Sequence, residues 1–383
     1  MTPGARIAAA IAVIDRIAAG EAAERALTNW GRGARYAGSA DRAAVRDLVF
    51  DALRCWRSAA AMGGGDGGRA RMIGLLRLRG ADPAEYFTGA GHAPPPLTET
   101  EAAAPPPPAG NVALDCPDWL EVPLRASLGS DFAPVMQALR HRAPVTLRVN
   151  AARATVPEAM AALAAAGIET APNPLAPWAL TVTAGARRLA ASAVYAAGLV
   201  ELQDAASQAV VAALPVAPGM PVLDFCAGGG GKALALAALG CALTAHDADP
   251  ARMRDLPVRA ARAGARITLA PPFRPGGWPL VLADAPCSGS GAWRRQPEAK
   301  WRLTPGRLSE LMAMQDAVLD AAAAWVAPGG RLAYATCSLL RAENVERVAA
   351  FADRRGWRCV MSRAWTPLDG GDGFYLALLA RGE

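Results

Sequence analysis

Two cysteines stand in short segments of small residues: Cys287 in "DAPCSGSGAWRRQPEAKW" and Cys337 in "YATCSLL". Each follows a run that reads as a strand, "PLVLADAPC" and "GRLAYATCS". Upstream, "LDFCAGGGGK" sets four glycines before a helix, with Asp224 near the strand end and Lys232 closing the loop. Glycines permit a tight turn and close ligand approach, and the helix start presents free backbone N–H groups. "ALTAHDADP" ends the next strand on Asp247, where an acid accepts bonds from ribose hydroxyls. A nucleoside cofactor is therefore expected there, approached by the loop Cys226, Ala227, Gly228, Gly229, Gly230 and Gly231 and bonded by Asp247. The thiols narrow the chemistry. Cytosine C5 is a poor nucleophile, but a thiolate added at C6 makes it enamine-like and able to attack an electrophilic methyl group. That reaction needs a thiolate, a group supporting charge at N3, and a base for the C5 proton. Asp284 is the candidate for cytosine contact. Cys55, Cys226, Cys241 and Cys359 read instead as small hydrophobes.

The elements that would position these groups follow from periodicity. From "PVLDFCA" onward, strands alternate with helices, which implies a parallel doubly wound sheet with its site at the carboxyl ends of the strands. Residues 1 to about 85 carry apolar positions at helical spacing, such as Ile7, Ile11 and Ile14, then Val45, Leu48, Val49 and Ala52. "GGGDGG" interrupts them at 63–68, and the proline-rich 93–109 stretch reads as an extended linker. Strand-like "APVTLRVN" and "WALTVTAG" flank a helical "VPEAMAALAAAGIET", which fits a small α+β domain over 111–204.

A net charge of +6 fits a polyanionic partner. The only lysines are Lys232 and Lys300 among 40 basic residues, so a lysine tells more than an arginine here. Seven scattered cysteines without a CxxC pair argue for reduced thiols in a cytoplasm, against a disulfide framework, and against a metal site. No apolar run is long enough to predict a membrane span. "WRRQPEAKW" offers Arg294, Arg295, Lys300, Trp301 and Arg302 for RNA phosphates and an extruded base, with a solvated charged loop as the equal alternative.

The segments "GLVELQDAASQ", "VLDFCAGGGGK", "DAPCSGSGAWRRQPEAKW", "YATCS", "AENVERV" and "DGGDGFYLALL" together resemble the RsmB/Sun family of RNA cytosine-C5 methyltransferases. "YAGSADRAAVRDLVFDALR" is similar to the NusB-like helical domain of its bacterial 16S rRNA members. The resemblance implies a multidomain chain: an all-α NusB-like RNA-binding domain over 1–90, a linker over 91–110, the small α+β domain over 111–204, and an α/β Rossmann-like class I methyltransferase domain over 205–383. It implies S-adenosyl-L-methionine as methyl donor, Cys337 as the nucleophile at C6, and Cys287 as the thiol that assists release. It further implies Asp284 as the residue holding the cytosine, and Lys232 as a lysine reaching substrate and cofactor. Two departures stand out. The family loop usually carries a proline where this chain reads "AGGGGK", and "ARITLAPPFRPGGW" lacks the acid many members place near the adenine. The expected partner is RNA, with small-subunit ribosomal RNA preferred over transfer RNA, acted on by a cytoplasmic monomer. The rivals are a DNA cytosine methyltransferase, which would use a "PC" cysteine as nucleophile, a nicotinamide oxidoreductase, and a noncatalytic ribosomal RNA binding or assembly factor.

Overall fold

The computed structural model describes residues 1–269 and 275–382. Part of the segment read for adenine recognition, residues 270–274, lies outside the described residues. The chain forms two compact units.

The first unit comprises Met1–Arg125, Ser130–Arg142 and Trp293–Arg302. Its helices Pro3–Ala18, Ala23–Gly33, Ser39–Arg54, Trp56–Gly63 and Gly68–Leu78 enclose a core of Ile7, Ile14, Val45, Val49, Leu53, Met72 and Ile73. These are the apolar positions that recur at helical spacing, and each large side chain so buried contributes about 1.5–3 kcal/mol. Thr2 caps the first helix by accepting from Ala5 N, and Pro3 follows where a missing N–H does no harm. The glycine run ends one helix at Gly64, in the left-handed region at φ 74°, and the next helix starts at Gly68. Those two helices touch backbone to backbone: a Cβ on Gly74 would fall on the carbonyl of Ala59. Gly74→Ala is therefore expected to lower the free energy of unfolding by about 2–4 kcal/mol, beyond any gain in helix propensity. Urea denaturation checks it, and an unchanged midpoint would refute the close approach.

The sequence-based linker is not a free spacer over its first part. Thr98 and Glu101 form a capping box on a single turn, Glu99–Ala102. Glu101 pairs with Arg69 at 2.7 Å, and Arg69 also donates to the carbonyls of Pro95 and Pro96. Leu97 packs on the helical core. The proline run 105–108 carries neither helix nor strand. Residues beyond it as far as Arg142, apart from 126–129, pack with the helices. The cause is Asp115, fully buried, which accepts from Arg57 N, Ser58 N, Ser58 Oγ and Arg140 Nε.

The second unit holds two sheets. The smaller consists of β1 (Thr146–Val149), β2 (Glu169–Pro172), β3 (Ala179–Ala184) and β4 (Val200–Leu202), antiparallel in the order β2-β3-β1-β4. The larger contains β5 (Pro221–Asp224), β6 (Ala242–Ala245), β7 (Ile267–Leu269), β8 (Trp278–Asp284), β9 (Val326–Thr336), β10 (Trp357–Trp365) and β11 (Phe374–Arg381). Its order is β10-β11-β9-β8-β5-β6-β7, with β5 to β9 parallel and β10 and β11 antiparallel. The result is a mixed α/β sheet of the Rossmann-like kind. The chain runs outward from β5 to β7, then returns to β8 on the other side of β5, and a crevice opens at such a reversal. The register sets Asp224 opposite Ala245, and Asp284 opposite Ala335. The segments after β5, β6, β8 and β9 thus leave the sheet along one edge. Among the described residues, no helix is long and apolar enough to cross a membrane.

Candidate active site

The loop after β5 is held in shape by its own backbone and by Asp247. Gly230 N donates to Ala227 O at 2.8 Å, Ala227 N to His246 O at 2.8 Å, and Gly228 N to Asp247 Oδ2 at 3.0 Å. Gly228 and Gly230 adopt φ of 49° and 80°, and a Cβ on Gly230 would strike Leu256, so glycine is required at that turn. Asp247 is buried, and its Oδ1 accepts from Asp249 N at 3.0 Å. Asp224 is buried at the strand end, and its Oδ1 has no hydrogen-bond partner. Burial, then the negative charge of Asp284, pushes its carboxyl up to about 7, with Lys232 opposing. The Cys226 thiol, half-buried, is likewise held protonated by burial and by Asp224, Asp284 and Asp247. The site thus presents a glycine cradle, a buried acceptor suited to an ammonium group, and an acid at the end of the neighbouring strand. These fit the amino-acid and ribose portions of S-adenosylmethionine.

The thiols meet at the same edge. Cys287 Sγ and Cys337 Sγ are 3.4 Å apart, both half-buried. Lys232, buried at the start of the helix Gly231–Ala238, forms an ion pair with Asp284 at 2.7 Å and lies over the Phe374 ring. Burial pushes the Lys232 ammonium down, but Asp284, the Cys337 sulfur and Asp224 together hold its proton more firmly than usual. The Cys287 thiol is pushed well up by its hydrogen bond with Cys337, by burial, and by the charges of Cys337 and Glu343. Cys287 therefore keeps its proton, and the Lys232 ammonium lies in the field of the Cys337 sulfur.

A family model described as 16S rRNA methyltransferase RsmB/F matches residues 211–372, and one described as the ferredoxin-like domain of RsmF/B-like methyltransferases matches 116–187. Ribosomal RNA small subunit methyltransferase B of Xylella fastidiosa (strain 9a5c) is 35% identical over 288 residues, covering 69% of this chain and 68% of that protein. The chain belongs to the RsmB/F methyltransferase family. The protein of the same name from Enterobacter sp. (strain 638) is 31% identical over 285 residues, covering 69% of this chain and 66% of its own. The chain thus spans about two thirds of the length of these relatives. The crystal structure of PH0851 shares the fold with a TM-score of 0.79 at 21% identity, over 100% of this chain and 99% of its own. A methyltransferase homologue from Pyrococcus horikoshii shares it with a TM-score of 0.62 at 22% identity, over 71% and 97%.

Within this RsmB/F chain, Cys287, Cys337, Asp284 and Lys232 come together as a group, and so do the glycine loop, Asp224 and Asp247. The expected RNA-contact residues belong to the other unit. Trp293–Arg302 belongs to the helical unit, where Trp301 packs on the core and its indole donates to Leu53 O at 2.7 Å. Arg294 is buried and its carbonyl accepts from Arg54 Nε at 2.7 Å, Arg295 is half-buried, and Lys300 is buried. Arg302 is exposed and pairs with Glu298 at 2.7 Å, and Glu298 in turn accepts from Ala23 N. A stretch rich in tryptophan and cations also suits a plug whose aromatic bodies fill a helical core.

Lys300 carries a measurable signature of that burial. Desolvation lowers its ammonium to about 8, against the pull of Asp115, Cys55 and Cys116. The unfolded chain keeps this proton to about pH 10.4, so between those values the unfolded state binds more protons and stability rises with pH. The cost of burying the ammonium is fully present below pH 8 and is lost as pH rises toward 10.4. The stability of the wild type relative to Lys300→Met is expected to grow by on the order of 3 kcal/mol across that window. Parallel urea titrations of the two proteins check it, and parallel pH profiles would refute it.

The sequence pattern places Asp224 near a strand end without a role, and it does not single out Glu343, Ser288 or Ser338. Their only signal was the motif "AENVERV" and the serine that follows each cysteine.

Proposed function

We propose that the chain methylates C5 of a cytosine in RNA, with 16S rRNA as the substrate, through a covalent bond between Cys337 and cytosine C6. The observation that carries this reading is the pair of thiols 3.4 Å apart beside the Lys232–Asp284 ion pair, at the carboxyl ends of parallel strands. S-adenosylmethionine, when bound, supplies an electrophilic methyl group carried on a sulfonium. Asp224 and Asp247 hold its ammonium and ribose, with the glycine loop against its methionine portion. Cys337 as thiolate forms the bond to C6, and the electrons of the C5–C6 double bond move toward N3. Asp284 contacts the N3–N4 edge of the base, and the Lys232 ammonium balances the charge that gathers there. Once the Cys337 sulfur is bonded to carbon, Cys287 gives its own proton to solvent; after C5 takes the methyl group, the Cys287 thiolate takes the C5 proton, the double bond re-forms, and the C6–S electron pair returns to Cys337.

The target must be extruded or already unpaired, because attack at C6 comes from above the ring. The helical unit acts as a NusB-like RNA-binding domain, and the small sheet helps grip RNA. The test is transfer of labelled methyl from S-adenosylmethionine to unmodified 16S rRNA, followed by base-resolved mapping. One C5-methylated cytosine supports the reading. Tight binding without transfer to ribosomal RNA, assembly particles or transfer RNA would instead favour a noncatalytic assembly factor.

A further inference from the structure

We propose that Glu343 is a positioning residue that fastens the loop carrying Cys287 to the loop carrying Cys337 and so sets the spacing of the two thiols. Glu343 is fully buried. Its Oε1 accepts from Ser288 N at 2.8 Å and Gln315 Nε2 at 3.0 Å, and its Oε2 accepts from Ser288 Oγ and Ser338 Oγ, each at 2.5 Å. Ser288 and Ser338 are the residues that follow the two cysteines, so this carboxylate is one bridge between both thiol loops. All four donors are neutral. Charge-assisted bonds of this kind are short and about twice as strong as neutral ones, and losing them in a buried site leaves the serines unsatisfied.

The neighbouring contacts brace the bridge. Tyr334 donates to Glu343 O at 2.7 Å, and Gln315 also donates to Pro286 O at 2.9 Å. Ser290 Oγ lies 3.0 Å from Ser338 Oγ and accepts from Leu339 N at 2.8 Å. Asn344, the next residue, accepts from Thr336 Oγ1 and donates to Ser338 O, fixing the Cys337 loop from its other side. A buried carboxylate is a costly device for packing alone. Its value lies in geometry, since a displacement of about 1 Å between reacting groups costs on the order of 10²-fold in rate.

The inference rests on the two-thiol reading, but its first readout needs neither RNA nor methyl donor. In thiol–disulfide exchange with glutathione, one glutathione disulfide and the two protein thiols give one protein disulfide and two glutathione thiols, so the equilibrium constant reports how closely Cys287 and Cys337 are held. The full chain is compared with Glu343→Ala, Glu343→Gln and the double variant Ser288→Ala with Ser338→Ala, the last in case Glu343→Ala does not fold. The equilibrium constant is expected to fall at least about tenfold in Glu343→Ala and in the double variant, and Gln, which keeps the shape and one acceptor oxygen while its amide nitrogen can donate to the serine hydroxyls, restores part of it. In methyl transfer, folded Glu343→Ala is expected to lose kcat with KM for RNA and S-adenosylmethionine within about twofold of wild type. A folded variant that keeps the wild-type exchange equilibrium overturns the inference. If the wild type transfers no methyl group, the proposed reaction fails, while the exchange result still decides the role of Glu343.

Discussion

Cys337→Ala is expected to abolish methyl transfer, lowering kcat by at least about 10⁴-fold while the fold and the binding of S-adenosylmethionine persist. Without Sγ at that position nothing adds to C6, and cytosine C5 stays too electron-poor to attack a methyl group. The remaining groups do not compensate. Lys232 and Asp284 stay paired at 2.7 Å and still orient the base, but neither is a nucleophile. Cys287 lies 3.4 Å away from the missing sulfur, and its thiol is pushed up by the Cys337 hydrogen bond, by burial and by charge. Removing Cys337 relieves part of that effect, yet Cys287 remains on the other loop, beside Glu343. Single-turnover transfer to the mapped cytosine checks the loss. Activity above about one hundredth of wild type would move the nucleophile elsewhere.

Cys287→Ala is expected to do the opposite: bond formation proceeds and release stalls. The largest influence on the Cys287 thiol is its hydrogen bond with Cys337, and the Cys337 charge adds to it. Both weaken once the Cys337 sulfur is bonded to carbon, so Cys287 becomes easier to deprotonate when a base for the C5 proton is needed. The alanine variant should transfer about one methyl group per enzyme and then stop, with an enzyme–RNA adduct that survives denaturing electrophoresis. Steady-state turnover falls on the order of 10²-fold to 10⁴-fold, the range of a lost general base. The adduct should vanish when Cys337→Ala is added. A Cys287→Ala protein that turns over freely would assign proton removal to another group.

The site was legible in the sequence where local pattern decides position. Strands alternating with helices put Asp224, Asp247, Asp284, Cys287 and Cys337 just at or beyond strand ends, and a parallel sheet gathers such ends on one edge. What stayed hidden depends on tertiary packing. Lys300 and Trp301 have the composition of an RNA-contact loop, and only the helical core around Leu53 shows that the segment is buried there. Asp115 looks like an ordinary loop acid, yet its four hydrogen bonds carry residues around it into the helical unit. Glu343 stands in "LLRAEN" like a helix-start acid, and nothing local reveals that its partners lie after two different strands. The prolines before Glu99 suggested an extended spacer, because the fastening residue, Arg69, is distant in sequence.

The central claim is that Cys337, and not Cys287, bonds to cytosine C6. It is tested most directly with RNA carrying 5-fluorocytosine at the mapped position, where no C5 proton is available for release and the covalent adduct persists. After incubation with the wild-type chain and S-adenosylmethionine, digestion and mass spectrometry locate the modified peptide. The account predicts a methylated fluorocytosine attached to the peptide containing Cys337, with the Cys287 peptide unmodified. Attachment at Cys287, or methylation without any adduct, would contradict it.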